Sequence, residues 1–456
     1  MLIAFAACQP LFAFFFSRRL FLVQPVPDNA ANTSFGDSKR PHVLRSDDSK
    51  EVYDPECSCQ RFCLPPGVFL MTLTLDNVTK VVGGDTHLYP MTLTLNPGLN
   101  VLLGPTLAGK TSLMRIMAGL DKPTTGRVLV DGQDVTDVSV QKRAVAFVYQ
   151  QFVNYPSFSV FENIASPLRI AGLKGNELNE RVQGVAKLMH LEPMLKRLPA
   201  ELSGGQQQRV AIARALIKEA GLLLFDEPLV NLDYKLREEL RAEMKEIFAR
   251  RDAVVVYSTT EPFEGLSLGG QVAVLSEGRL LQSGPTLEVY HRPVTVRVGQ
   301  VFSDPPINLL EAQLGEGRAL LTGGLGFPLP PHMSGLSGPH QLGVRANHAG
   351  LRPEGPNDVT LAARVNVAEL SGSETYLHTR LISPGNGPST APGAHMVVQL
   401  PGIHSIKPGE EVTLHVNPDR MFAFASGGRL AAAPPRPPAP SRLEAPIAPT
   451  PTERSA

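Results

Sequence analysis

Apolar and polar positions begin to alternate at Met71, where Met71-Thr-Leu-Thr-Leu-Asp-Asn-Val78 puts every second side chain on one face and predicts a half-buried strand. Two changes of period follow. The run Asn100-Val-Leu-Leu103 reads as a buried strand, and beyond a glycine-bearing loop Leu113, Ile116, Met117 and Leu120 recur at helical spacing, which predicts a helix from Ser112 to Gly119. Further along, Val210, Ala213, Leu216 and Ile217 mark another helix, and Leu222-Leu-Leu-Phe225 and Ala253-Val-Val-Val-Tyr257 read as buried strands. Tyr155 to Ile164 opens a mainly helical insertion that runs to about residue 200. After Asp304-Pro-Pro-Ile-Asn308 the rhythm shortens to alternating runs broken by Gly and Pro: Leu342–Arg345, Ala363–Val367, Thr375–Leu381 and Glu411–Val416. That spacing predicts a small all-β barrel behind an α/β domain. The domains read as a 1–70 extension, a 71–299 α/β domain, a 300–430 barrel, and a Pro- and Ala-rich tail over 431–456 with too little apolar content to fold.

Composition narrows the classes. With 456 residues the chain can hold two or three cores. Its 43 Lys plus Arg balance 43 Asp plus Glu, which argues against a nucleic-acid partner. No stretch after residue 71 is long and apolar enough to span a bilayer. Cys8, Cys57, Cys59 and Cys63 all precede residue 64, so the main body has no disulfides and fits a reducing compartment. Residues 1–70 do not read as a domain. Phe5-Ala-Ala-Cys8 faintly suggests a lipoprotein site, but no basic residue precedes the apolar start. The three clustered thiols lack a fourth ligand for a metal. Translation is expected to start at Met71.

The candidate chemistry lies on the loops between these elements. Gly104, Pro105, Thr106, Leu107, Ala108, Gly109, Lys110 and Thr111, continued by Ser112, link a strand to a helix. Glycines there let backbone N–H groups turn onto a phosphate, the helix N-terminus adds positive charge, Lys110 reaches the outer phosphates, and Thr111 offers a hydroxyl to Mg²⁺. Asp226 and Glu227 end a buried strand, which suits an Asp226 that positions the metal and a Glu227 that polarises an attacking water. Ser203, Gly204, Gly205 and Gln206 open a helix.

This set, with Gln150 and Asn231-Leu-Asp233, resembles the ATPase subunit of an ABC transporter over residues 71 to about 425. The resemblance implies ATP and Mg²⁺ as ligands, with Thr111, Gln150 and Asp226 near the metal and Asp233 near the nucleotide. It implies an ABC-type phosphate-loop domain with a helical insertion. It also implies two such domains paired head to tail, each ATP lying between one chain's phosphate loop and the other's Ser203-Gly204-Gly205. Two membrane permease subunits and a periplasmic binding protein, at the cytoplasmic face of the inner membrane, complete the implied assembly. Leu370-Ser-Gly-Ser-Glu374 and Asn417-Pro-Asp-Arg420 resemble the OB-like regulatory domain of carbohydrate-importing members. Thr79–Gly84, Gln151–Pro156, Asn231–Arg237 and Tyr257–Pro262 are similar to bacterial glycerol importers, which implies glycerol or a related polyol as cargo.

The chain departs from that pattern at four places. Thr260 stands where the family has a histidine on the γ-phosphate, and Val81-Val82 replace the aromatic that stacks on adenine, leaving Tyr89 or His87 as alternatives. Leu107 replaces a glycine and Val230 a small polar residue. These changes favour pairing with a second, unlike ATPase chain over a homodimer. The runner-up function is an ATP-binding scaffold subunit that hydrolyses little.

Overall fold

The computed structural model describes residues 71–218, 220–230, 232–249, 251–382 and 394–436, all in one compact unit. The apolar start, the cysteines and the expected start-site boundary before Met71 lie outside the described residues, as do Asn231 and residues 437–456.

The buried runs of the first part become the centre of a six-stranded sheet. Gly98–Leu103 lies between Val254–Thr259 and Gln271–Ser276, parallel to both. Leu222–Asp226 and Val145–Val148 continue in parallel, and Arg279–Pro285 closes the far edge antiparallel. Every residue of Val254–Thr259 is buried, as a parallel strand covered on both faces requires. A four-stranded antiparallel sheet contains Leu73–Val82 and Asp85–Leu95, and helix Lys110–Ala118 fills the space between the two sheets through Leu113, Met114 and Met117. That packing fixes the helix axis and so the direction in which the loop before it faces.

The opposite face carries the insertion. Helices Val160–Ile170 and Gly175–Leu188 bury Ile164, Leu168, Leu178 and Val182 on the same core as helix Gly204–Leu216. Ser159 and Glu162 close a capping box on the first of these. Val153, Tyr155 and Ile170 stay exposed, so these apolar side chains of the insertion are surface and not core.

The second part is two antiparallel sheets of six and five strands enclosing Leu310, Leu342, Val365, Leu377, Val398 and Leu414. Alternating burial along Asn308–Gly315 and Val359–Leu370 matches the period read from the sequence. Residues 431 and 432, assigned to the tail by composition, belong to a strand, Leu430–Ala432. They are held there because Ala432 pairs with Ala423 of the preceding strand Phe422–Ala425, a strand pairing that composition does not encode.

Candidate functional site

Backbone geometry builds the floor of the site. Gly104 packs so closely on the neighbouring strand that a Cβ there would stand 2.3 Å from the Leu275 carbonyl oxygen. Gly109 holds φ at 94°, and Leu107, also left-handed at 66°, points its side chain out, 93 % exposed. The loop is clasped from the other side by Gly278, whose N–H donates to the Ala108 carbonyl at 3.2 Å. These contacts hold the loop open around a cavity of about 630 Å³ lined by Thr106–Ser112, Gln150, Glu227, Thr86, His87, Tyr89, Glu277 and Gly278.

Charged groups converge on one wall. Lys110 is buried; its Nζ donates to the Gly104 carbonyl at 2.8 Å and the Pro105 carbonyl at 3.1 Å, and lies 3.2 Å from Glu227 Oε1. Gln150, just past strand Val145–Val148, donates from Nε2 to Glu227 Oε2 at 3.1 Å. Thr111 Oγ1 donates to Asp226 Oδ2 at 2.7 Å. Glu227 adopts φ of 45°, a left-handed conformation that non-glycine residues rarely take, at the turn that leaves the strand.

Ser258 holds that turn. Fully buried on the adjacent parallel strand, it donates to Asp226 Oδ1 at 2.7 Å and accepts the Glu227 N–H at 3.0 Å. One hydroxyl therefore orients both acids. The sequence reading did not single it out, and no local pattern marks it. Beneath it, Glu264 accepts from Thr259 Oγ1 at 2.6 Å and from the Tyr257 hydroxyl at 3.3 Å, and burial pushes its carboxyl up from the ordinary value.

The other candidates lie elsewhere. Thr260 lines a separate cavity of about 470 Å³ with Pro105, Arg297, Ser303 and Asp304, and is absent from the lining of the first. Ser203 caps helix Gly204–Leu216, accepting from the Gln206 N–H while Gln206 Oε1 accepts the Ser203 N–H. None of residues 203–206 lines the phosphate-loop cavity of its own chain. Asp233 caps helix Tyr234–Ala249 through the Leu236 N–H. Tyr89 and His87, left open as alternatives, both line the cavity, and Arg279 lies 3.5 Å over the Tyr89 ring. Val81 and Val82 are exposed and outside it.

An oxygen donor set and a backbone cradle next to a buried lysine suit a polyphosphate with a hard divalent cation. Thr111 and Asp226 offer the hydroxyl and carboxylate oxygens that Mg²⁺ takes.

The ABC transporter family model matches residues 88–230, and the TOBE domain model matches residues 342–424. The sn-glycerol-3-phosphate import ATP-binding protein of Salmonella typhi is 37 % identical over 313 residues, 68 % of this chain and 87 % of its own length. Its counterpart in Paracoccus denitrificans is 34 % identical over 361 residues, 78 % of this chain and 99 % of its own. The Fe(3+) ions import ATP-binding protein of Brucella abortus is 39 % identical over 287 residues, 62 % of this chain and 81 % of its own. A solved ATP-binding cassette, described as dimeric and bound to ADP and Pi, is 30 % identical and covers 47 % of this chain and 98 % of its own, with a TM-score of 0.44.

Proposed function

The chain belongs to the ABC transporter ATPase family as the ATP-binding subunit of an importer, and on that premise we propose how its residues act and what it serves. The observation that carries the proposal is the linked pair of contacts at one cavity wall, Lys110 to Glu227 and Thr111 to Asp226. Backbone N–H groups of Thr106, Leu107, Gly109, Lys110 and Thr111 take the phosphates of ATP, and Lys110 exchanges the Gly104 and Pro105 carbonyls and Glu227 for a phosphate oxygen. That exchange frees the Glu227 carboxylate to accept a proton from the attacking water, which Gln150 orients. Mg²⁺, when bound, offsets charge on the β- and γ-oxygens. Thr111, Asp226 and Gln150 are the residues that hold it.

The site is open toward solvent, and the anion-binding start of helix Gly204–Leu216 lies outside it, so a second cassette supplies Ser203, Gly204, Gly205 and Gln206 across a head-to-tail interface. Thr260, in its separate cavity, favours an unlike partner whose own site turns over faster. Exposed Val153, Tyr155 and Ile170 on the insertion form the surface for the permease subunits, which receive cargo from a binding protein. The chain works at the cytoplasmic face of the membrane; among the described residues no helix is long and apolar enough to cross it.

The cargo we propose is glycerol, a related polyol or its phosphate. Two of the relatives named above are sn-glycerol-3-phosphate import proteins, and a third is an Fe(3+) import protein. The test is ATP turnover and uptake by the chain with its partner cassette, permeases and binding protein in vesicles, offered glycerol, sn-glycerol 3-phosphate or Fe(3+), with Lys110→Ala as control. Turnover stimulated by the polyols and silent in Lys110→Ala is the expected result. Stimulation by Fe(3+) alone overturns the cargo, and turnover by Lys110→Ala overturns the site.

A further inference from the structure

Arg345 follows strand Gly338–Val344 of the β-rich part and is 3 % exposed. Burying a guanidinium is costly unless its charge and donors are met. Among the described residues its partners are neutral. Nη1 donates to the Phe302 carbonyl at 3.1 Å and to Ser303 Oγ, and Nη2 donates to the Tyr290 carbonyl at 2.7 Å. The guanidinium also lies 3.7 Å over the Tyr290 ring. These carbonyls have a common origin. Tyr290 is in the last turn of helix Thr286–His291, and Phe302 caps the C-terminus of helix Val296–Val301. Such ends leave carbonyls without helical partners and carry partial negative charge. The counter-charge for Arg345 is therefore two helix ends, one in the ATPase part and one at its junction with the barrel, so the contact holds only while both keep their present directions.

Helix Val296–Val301 also reaches strand Gln271–Ser276. Its Arg297 donates from Nε to Ser276 Oγ at 3.0 Å. Two residues on, the Gly278 N–H holds the Ala108 carbonyl of the phosphate loop, and the Gly278 carbonyl accepts the N–H of Tyr89 at 2.9 Å. Ser303, bonded to Arg345, lines the cavity whose other wall is Pro105 of the same loop. Hydrogen bonds, linked by helix Val296–Val301 and the short backbone segment from Ser276 to Gly278, thus join the β-rich part to the phosphate loop.

We propose that Arg345 is a positioning residue through which the β-rich domain sets the phosphate loop by way of helix Val296–Val301 and the Ser276–Gly278 turn. The proposal rests, for its effect on turnover, on the reading of that loop as the ATP site. Its effect on the loop's backbone is independent of that reading.

The test compares full-length parent, Arg345→Met, Arg345→Lys, Arg297→Ala, the Arg345→Met/Arg297→Ala double variant and Leu414→Ala, the last a core truncation in the β-rich part that takes no part in these hydrogen bonds. Amide hydrogen exchange at Ala108 and Gly278 and ATP turnover are measured well below every melting transition. Arg345→Met and Arg297→Ala are each expected to speed exchange at both amides and to slow kcat about tenfold with KM for ATP changed less than about twofold. Arg345→Lys, which keeps charge but loses the fork, falls between. The double variant should cost no more than the larger single effect. Leu414→Ala should lower the melting temperature and leave both amides at parental rates. Unchanged exchange at Ala108 and Gly278 in Arg345→Met overturns the proposal, as does equal acceleration in Leu414→Ala. If instead Lys110→Ala turns over ATP like the parent, the ATP reading fails while the exchange data still judge the route.

Discussion

Replacing Ser258 with alanine removes one oxygen atom and takes away the partner of Asp226 Oδ1 and of the Glu227 N–H. The Ser258 hydroxyl gives Asp226 one of its two side-chain hydrogen bonds, at 2.7 Å, and takes the N–H of Glu227 at 3.0 Å. Both residues are well shielded, with Asp226 2 % exposed and Ser258 0 %, so water does not replace the lost oxygen readily. A hydrogen bond to a charged group contributes about 1.5–3 kcal/mol, and a buried N–H left unsatisfied costs about 1–3 kcal/mol. Allowing for some relaxation of the Glu227 turn, the loss of stability is about 3 kcal/mol, which for a domain of this size lowers Tm by roughly 6–12 °C. The larger consequence is alignment. Glu227 sits in a left-handed conformation held by that N–H, and a displacement of about 1 Å in a reacting group costs on the order of a hundredfold in rate. The assay is ATP turnover against Mg²⁺ concentration, measured at a temperature where parent and variant are both folded, beside a thermal melt by circular dichroism. Turnover should fall between about tenfold and a hundredfold, with more Mg²⁺ needed for half the maximal rate because Asp226 is no longer aimed. A variant that melts within a degree of the parent and turns over ATP within twofold of it refutes the reasoning.

Three other outcomes follow from the same geometry. Glu227→Gln keeps the shape of the wall but removes the carboxylate facing Lys110, so turnover should drop about 10²–10⁴-fold while nucleotide binding persists; parental turnover in a purified variant contradicts the assignment of the base. Gly104→Ala forces a methyl to within 2.3 Å of the Leu275 carbonyl oxygen, and the backbone shift, costing about 1–3 kcal/mol, should abolish ATP retention on a filter assay at concentrations that saturate the parent. His348, whose buried Nδ1 has no hydrogen-bond partner among the described residues, is pushed down from 6.5 to about 4, first by burial and then by the Arg345 and Arg420 charges. Below pH 6.5 the unfolded chain takes up a proton that the folded chain refuses, so this site's contribution is intact above 6.5 and up to roughly 3 kcal/mol is lost as pH falls toward 4. Denaturant unfolding at stepped pH should therefore show a shallower acid limb in His348→Gln, and parallel curves for the two proteins would contradict the burial argument.

The chemistry-bearing loops were legible because each is a local instruction. Gly104 to Thr111 between an apolar run and a 3.6-period helix leaves the chain few conformations, and Ser203 followed three residues later by Gln206 writes a helix start that the structure caps in that way. The β-rich second part was legible for a related reason, since alternating burial along Asn308–Gly315 and Val359–Leu370 is a period-two signal that survives in one dimension. Thr260 stands where the family has a histidine on the γ-phosphate, and it lines the neighbouring cavity together with Pro105, a placement that position in sequence does not express.

What the sequence determined alone was the order of elements, the class of each domain and the local form of its glycine-bearing helix starts, because spacing over a few residues dictates backbone geometry directly. The tertiary structure decided which side chains from distant segments meet: Ser258 on Asp226 and Glu227, Gly278 on Ala108, Arg345 on the ends of two helices. The first of these depends on the register that sets Asp226 beside Ser258 in parallel strands buried on both faces. Such strands carry no alternation of apolar and polar positions, so nothing along the chain marks their pairing, and only packing of the whole sheet fixes it.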